Sequence, residues 1–347
     1  MREKILVTGE QMKSTFLSIL HHHNFQGERA ETCAHIFTQN SLDGVYTHGV
    51  NRFPRFIRQI RKGNVQTDNE PELVDSSGAT ERWNGRLGSG TNNALDSTHR
   101  AMELASSHGI GCVGLANTNH WMRGGYYGWE AAKSGFIFMG WANTIGNMPA
   151  WGAKNSRLGN NPLVMAVPYD SEAVVLDMAM SQFSYGTLEA NQISGEKLPM
   201  IGGFDEDGNM TKDPEAIIKS ERSMPIGYWK GAGLALLLDI FAAVISGGDA
   251  VFQITKRKED YGMSQVFIAI DISRFSHFTS IGNIVKDVIK DLYDSIPISE
   301  ADKIFYPGER VLQRRKENRE NGIPVEGKVW EEILKLNITR QDEESGV

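Results

Sequence analysis

Apolar and polar positions change period several times along the chain. Over residues 10–41 apolar side chains recur at helical spacing in two blocks, and the second sets Ala30, Cys33, Ile36 and Phe37 on one face before a polar turn at Asp43-Gly44. A third helix is predicted in RFPRFIRQIRKGN: Pro54 suits a first turn, Phe53, Phe56, Ile57 and Ile60 form the apolar face, and Lys62 with Gly63 mark its end. From about residue 73 the pattern shortens to β-rich runs set between helices: LVDSS, CVGLANTN, FIFMGWANT, PLVMAVPY, AVVLDMAMS and, much later, SQVFIAIDI. Between the last two lie GTLEANQISG, the turn-rich GGFDEDGN and a long apolar helix, GLALLLDIFAAVISGG. Helical spacing returns in TSIGNIVKDVIKDLYDS and GKVWEEILKLN, and RQDEESGV reads as a solvated tail.

Helices at both ends and strands in the middle predict a mixed α/β fold class. The division expected is a helical domain built from residues 1–72 plus 277–347 and a sheet domain over 73–276.

One short stretch, GIGCVG at 109–114, matches the G-x-G-x-x-G pattern of dinucleotide-binding loops. That pattern has a mechanism only where a strand enters the glycines and a helix leaves them. Here the order is reversed. Ala94, Thr98, Ala101, Leu104 and Ala105 upstream have helical spacing with Thr91 as the N-cap, and CVGLANTN downstream reads as a strand. Gly109 is therefore expected at the helix C-terminus and Gly111 in the turn into the strand. The motif does not mark a Rossmann fold, so any cofactor site lies elsewhere.

Composition narrows the function classes. A formal net charge of -7 over 347 residues gives no bulk attraction to nucleic acid or to an anionic membrane. Two cysteines, Cys33 and Cys112, read as core residues rather than a disulfide, and GLALLLDIFAAVI, interrupted by Asp239, reads as too short to span a bilayer. A cytoplasmic protein is expected. His21, His22 and His23 point in different directions on a helix and cannot share a metal ion; no metal site is expected. No G-x-S-x-G, Walker or H-E-x-x-H pattern occurs.

Four stretches carry candidate chemistry. His48 lies in the loop before the third helix with Arg52 close behind it, a pairing that suits a proton donor beside a carboxylate-binding guanidinium. The alternative is a histidine bonded to backbone and an arginine on a wet face. In NTNHWMRGGYYGWEAAKSG, Asn119, His120 and Arg123 follow a strand end among Trp121, Tyr126, Tyr127 and Trp129, which reads as a pocket lining or as a capping turn over an aromatic core. LDMAMSQFSYG ends a strand with Asp177, Ser181 and Ser184 before Gly186 opens a helix, where hydroxyls and free amides suit phosphate or ribose oxygens. PIGYWKGAG sets Trp229 and Lys230 before a helix, a ring to stack and an amine for an anion.

Together YTHGVNRFPRF, NHWMRGGYYGW, PAWGAKNSRLGNNPLVMAVP, LDMAMSQFSYG, EANQISGEKLP and MPIGYWKGAG resemble the malate/L-lactate dehydrogenase-like oxidoreductases that do not use a Rossmann fold. The resemblance runs in order along nearly the whole chain. It implies a homodimeric reductase acting on a small keto sugar acid with a nicotinamide cofactor; NADH is the expected form, with NADPH left open by the sequence. By position in the matching motifs His48 would be the proton donor, with Arg52, Asn119 and His120 on the substrate. The cofactor would meet the run Asp177, Met178, Ala179, Met180, Ser181, Gln182 and Phe183, then Trp229 and Lys230, then Gly308, Glu309 and Arg310. Glu309 departs from the family pattern, which usually has His there, and Thr144 lies where members acting on other substrates place a basic residue. Malate, lactate, imino-acid or ureidoglycolate substrates remain open on the same scaffold, as does a binding protein for sugar acids that has lost catalysis.

Overall fold

The computed structural model describes residues 4–299 and 301–337; the tail RQDEESGV lies outside the described residues. The chain starts with a strand that the hydrophobic pattern did not announce, β1 (Lys4–Val7), followed by α1 (Gly9–His22). Thr8 caps α1 by accepting from the Gln11 N–H at 3.1 Å. Helix α2 (Gly27–Leu42) buries the predicted face of Ala30, Cys33, Ile36 and Phe37, and a single 3-10 turn, Tyr46–His48, leads to α3 (Phe53–Arg61) with Pro54 in its first turn. The rings of Phe16 and Phe53 stack with centroids 4.0 Å apart, and Phe37 meets Phe53 edge-on. Burial pushes the Cys33 thiol up to about 12, as befits a core residue rather than a reactive one.

A βαβ unit follows: β2 (Glu72–Ser77) and β3 (Thr80–Asn84), then α4 (Gly90–His108) and β4 (Ile110–Asn119). Strands β3 and β4 are parallel, as a helical crossover requires. GIGCVG behaves as the reversed order demands: Gly109 caps α4 at φ +88°. Gly111 is not the turn residue expected, because it already lies within β4. A Cβ there would sit 2.1 Å from the Ala101 carbonyl oxygen, so glycine is what lets α4 lie directly on the strand. Thr91 is likewise inside the helix, and Ser89 holds the N-cap position, its hydroxyl 2.9 Å from that of Thr91.

After α5 (Gly124–Lys133) come β5 (Phe136–Ala142), the small hairpin β6 (Gly146–Pro149) and β7 (Ser156–Gly159), then β8 (Leu163–Tyr169) and β9 (Glu172–Met178). A compact excursion holds α6 (Tyr185–Ser194), β10 (Gly203–Phe204), β11 (Met210–Thr211) and α7 (Pro214–Ser220). The chain then forms α8 (Trp229–Ser246), α9 (Val251–Lys256) and β12 (Tyr261–Asp271), and closes with α10 (Phe278–Tyr293), α11 (Glu309–Asn321), β13 (Ile323–Glu326) and α12 (Gly327–Lys335).

The central sheet has the order β2-β3-β4-β12-β5-β8-β9 and, apart from β3/β4, antiparallel neighbours. Alternate residues of β12 feed opposite layers: Phe267 and Ala269 join the core under α4 and α5, while Val266 and Ile268 join the core under α8. A third core gathers α1, α2 and α3 with Ile323, Val325, Trp330 and Ile333 from the far end of the sequence. Its seam is the antiparallel pair β1/β13, with Ile5 opposite Val325. Helix α10 touches β8, where Lys286 pairs with Asp170 at 2.8 Å.

By length and composition α8 is apolar and long enough to cross a bilayer, which corrects the expectation that it falls short. In the fold one of its faces is seated on β12, β4 and β5, and the Leu238 carbonyl accepts from the Trp141 indole at 3.1 Å. Asp239 is accommodated by accepting from the Asn143 amide at 3.0 Å and the Val251 N–H at 2.9 Å. The outer face presents Leu237, Ile240, Phe241 and Val244 to solvent, Val244 at 71% exposure.

Candidate active site

A cavity of about 690 Å³ lies where the N-terminal helical layer meets the ends of β8 and β9 and the start of α11. His48 lines it at the end of the 3-10 turn. That turn is fixed from below: the Asn40 amide donates to the His48 carbonyl at 3.0 Å, and the Ser41 hydroxyl accepts from the Val50 N–H at 2.9 Å. The His48 Nδ1 is 3.1 Å from the Thr47 hydroxyl, and its ring stacks on His120 with centroids 5.7 Å apart. Burial first, then the positive charges of Arg52 and Arg123, push His48 down to about 4, so the imidazole is neutral at neutral pH.

His120 comes from the loop between β4 and α5. Its Nδ1 accepts from the Met122 N–H at 2.9 Å, which assigns the proton of the neutral ring to Nε2 and leaves that nitrogen a donor. Burial and then Arg52 hold its pKa well below the usual histidine range. Asn119, expected to bond substrate, is placed differently: its amide donates to the carbonyls of Asn64, Leu87 and Gly88 at 3.0, 2.8 and 2.9 Å, while its own carbonyl accepts from Gln265. Asn119 thus pins three segments beneath His120.

Arg52 sits just before α3, and its Nη2 lies 3.4 Å from Asp260 Oδ2. Burial and then the charge of Arg55, three residues on, lower the Arg52 pKa, and Arg55 also adds to the depression of His120 that burial and Arg52 begin.

The side chain that sequence reasoning missed is Asp43. Read as part of a polar turn, it is buried and pairs with two guanidiniums. Arg123 donates to its Oδ2 through a short contact, and Arg315 donates to Oδ1 at 2.5 Å and to Oδ2 at 3.0 Å. Both guanidiniums lie 4.9 Å from the centroid of the Trp129 ring. Arg123 also approaches Asp177 at 3.6 Å, and Asp177 accepts from the Gly125 N–H at 2.8 Å. A Cβ on Gly125 would fall 2.8 Å from that same carboxylate oxygen, which explains a glycine at the head of α5. Burial raises the Asp177 pKa. Only spatial proximity links Asp43, Arg123 and Arg315, so no local spacing could have announced them.

Of the expected cofactor residues, Asp177, Ala179 and Gly308 line the same cavity as His48 and His120. The others are not among the residues lining that cavity. Met180 is fully buried in the core under α8, which Met178 packs against; Ser181 donates to the Phe183 carbonyl at 2.8 Å; Gln182 contacts Met200; and Phe183 packs on Leu188, Leu198 and Ile217. Trp229, 65% exposed, and Lys230 begin α8. Glu309 accepts from the Tyr306 N–H at 3.2 Å and bonds Tyr293, while Arg310 lies 4.4 Å from the Phe305 ring.

The wall nevertheless has features that fit a nucleotide. Ser184 and Thr187 at the head of α6 line it, Gly308 at φ +99° leaves space where a Cβ would lie 3.2 Å from the Val175 backbone, and the buried Nε1 of Trp129 has no hydrogen-bond partner among the described residues.

Comparison with known proteins identifies the family. The family model described as malate/L-lactate dehydrogenase matches residues 7–334. The chain is 45% identical over 336 residues to 2,3-diketo-L-gulonate reductase of Citrobacter koseri, covering 95% of this chain and 99% of that protein. The Escherichia coli K12 protein of the same name is 43% identical over 331 residues, with the same coverage. Among solved structures, malate dehydrogenase from Entamoeba histolytica superposes with a TM-score of 0.92 at 23% identity over 96% of this chain and 97% of that one. Sulfolactate dehydrogenase from Methanocaldococcus jannaschii gives 0.88 at 26% identity over 96% of each chain. A mostly antiparallel sheet, a glycine motif used for helix packing and a family match over nearly its whole length agree: the chain belongs to the malate/L-lactate dehydrogenase family of nicotinamide-dependent oxidoreductases.

Proposed function

We propose that the protein reduces the keto group of a small sugar acid of the 2,3-diketo-L-gulonate type, with NADH preferred over NADPH and His48 as the proton donor. The observation that carries the reading is the stacked pair His48 and His120 on one cavity beside a partly buried guanidinium, Arg52, in a chain 43–45% identical to reductases of that name. A nicotinamide held along Asp177, Ala179 and Gly308 would supply the hydride for the carbonyl carbon. Arg52 binds the substrate carboxylate. That negative charge offsets one of the cations depressing His48 and so shifts the ring towards the protonated form a donor needs. His120, protonated on Nε2, donates to the carbonyl or a neighbouring hydroxyl, and Asn119 acts from below by fixing the His120 loop. Asp177, Ala179 and Gly308, which line the cavity, would meet the cofactor, and Trp229, Lys230, Glu309 and Arg310 are assigned to it with them. A cytoplasmic homodimer accompanies this reading, and the uncovered apolar face of α8 supports a second copy as its cover.

The test is the absorbance of NADH, then NADPH, with 2,3-diketo-L-gulonate beside pyruvate, oxaloacetate and a cyclic imino acid. Oxidation of NADH with the diketo-gulonate well above the rest is the expected result. Turnover confined to another substrate overturns the sugar-acid assignment, and silence with all of them leaves a binding protein.

A further inference from the structure

We infer that Asp260 determines specificity for hydroxylated substrates, holding Arg52 through one carboxylate oxygen and offering the other to a substrate hydroxyl. The inference rests on the substrate site proposed above. Asp260 immediately precedes β12, and its side chain is only 12% exposed. Its Oδ2 faces the Arg52 guanidinium at 3.4 Å, while Oδ1 is buried with no hydrogen-bond partner among the described residues. A buried carboxylate oxygen left without a donor is unfavourable, and such atoms in native structures commonly await a water, an ion or a ligand.

The loop that carries it is preorganised. The neighbouring Glu259 accepts from Lys62 and from Asn64, each at 2.6 Å, which ties the loop to the end of α3. Arg52, whose side chain is 23% exposed, lies beside the cation Arg55, and Asp260 is the first acidic group offsetting that repulsion. The pair therefore sets a donor fork and an enclosed, unmatched acceptor side by side, and a substrate hydroxyl reaches Oδ1 when its carboxylate draws Arg52 away from Asp260. This matches an anion whose carboxylate lies near hydroxyl groups, as in a polyhydroxylated acid, and offers nothing extra to a plain keto acid. Preference for the hydroxylated acid follows because only its hydroxyl gives this otherwise unmatched acceptor a donor.

The experiment compares kcat/KM for 2,3-diketo-L-gulonate with that for pyruvate, which keeps the keto acid and lacks every hydroxyl, in wild type, D260A and the near-isosteric D260N. The ratio of the two values is insensitive to a lost fraction of folded enzyme, which lowers both alike. Losing one charge-assisted hydrogen bond predicts that D260A reduces this ratio by about 10-fold to 100-fold. A fall of less than about threefold in both variants overturns the assignment. Should the wild type reduce neither compound, the proposed function fails separately, and titration of L-gulonate against hexanoate decides for Asp260: preference for the hydroxylated acid in wild type that disappears in D260A supports it, and equal binding in both proteins refutes it.

Discussion

Replacing Asp43 by Asn tests whether the buried triad holds the layers together. The substitution keeps the side-chain volume and removes the charge that faces Arg123 and Arg315, whose side chains are 3% and 13% exposed. Removing one partner of a buried ion pair typically costs about 3–5 kcal/mol, because the remaining charge is left uncompensated. Here each guanidinium retains a second acid, Asp177 at 3.6 Å for Arg123 and Glu172 at 3.7 Å for Arg315, so the lower end, about 3 kcal/mol, is expected. With an unfolding entropy of roughly 2.1 cal/mol/K per residue, that loss lowers Tm by about 4 °C if unfolding is a single transition. Urea titration followed by far-ultraviolet circular dichroism measures it, with calorimetry as the second probe. A triple variant in which Asp43, Arg123 and Arg315 become apolar should recover part of the loss, since the acids that lose an arginine keep another partner, Asp177 the Gly125 N–H at 2.8 Å and Glu172 the Lys133 amine at 3.6 Å. A loss below about 1 kcal/mol for D43N, or a triple variant less stable than D43N, would refute the reasoning.

Four further outcomes are expected. His48→Ala should lower kcat by about 10²–10⁴ with cofactor affinity nearly unchanged, read by steady-state kinetics and fluorescence titration of NADH. Stability should fall as pH drops from about 6.5 towards about 4: His48 is depressed in the folded chain, the unfolded chain binds the extra proton over that window, and H48Q should flatten this part of the acid limb in denaturation experiments. Gly111→Ala should cost at least about 1–3 kcal/mol or prevent folding, as its Cβ would collide with the Ala101 carbonyl, and expression yield with a melting curve reports it. Charging the outer face of α8 with I240D and V244D should convert the proposed dimer to monomer in analytical ultracentrifugation; an unchanged sedimentation coefficient would locate the second copy elsewhere.

Legibility followed the range of the physics. Local periodicity placed α1, α2 and α3, because one turn of helix is enough to define an apolar face, and glycine chemistry at a helix end identified Gly109. The same locality misread Gly111, whose reason is a helix ten residues earlier in the chain lying against it. The short strands β1 and β13 carry little period of their own and exist because each supplies the other's hydrogen bonds. Asp43 looked like any turn residue, since its two partners come from positions 123 and 315. His48 was legible as a loop histidine before a helix, whereas its depressed pKa depends on burial and on Arg123, which no spacing relates to it. Asp260 had no signal at all; a carboxylate with one oxygen unmatched is visible only once its surroundings are known.

The β1/β13 seam also fixes an order of events during synthesis. The core around Phe16, Phe37 and Phe53 includes Ile323, Val325, Trp330 and Ile333, so a chain emerging from the ribosome displays an unfinished apolar surface on its first three helices while the whole central sheet is made. Contacts that distant in sequence fold slowly and favour aggregation in the meantime. Helices α1, α2 and α3 are therefore made before the sheet and sealed after it, and a nascent chain arrested before Ile323 should be a client for chaperones however complete its sheet has become.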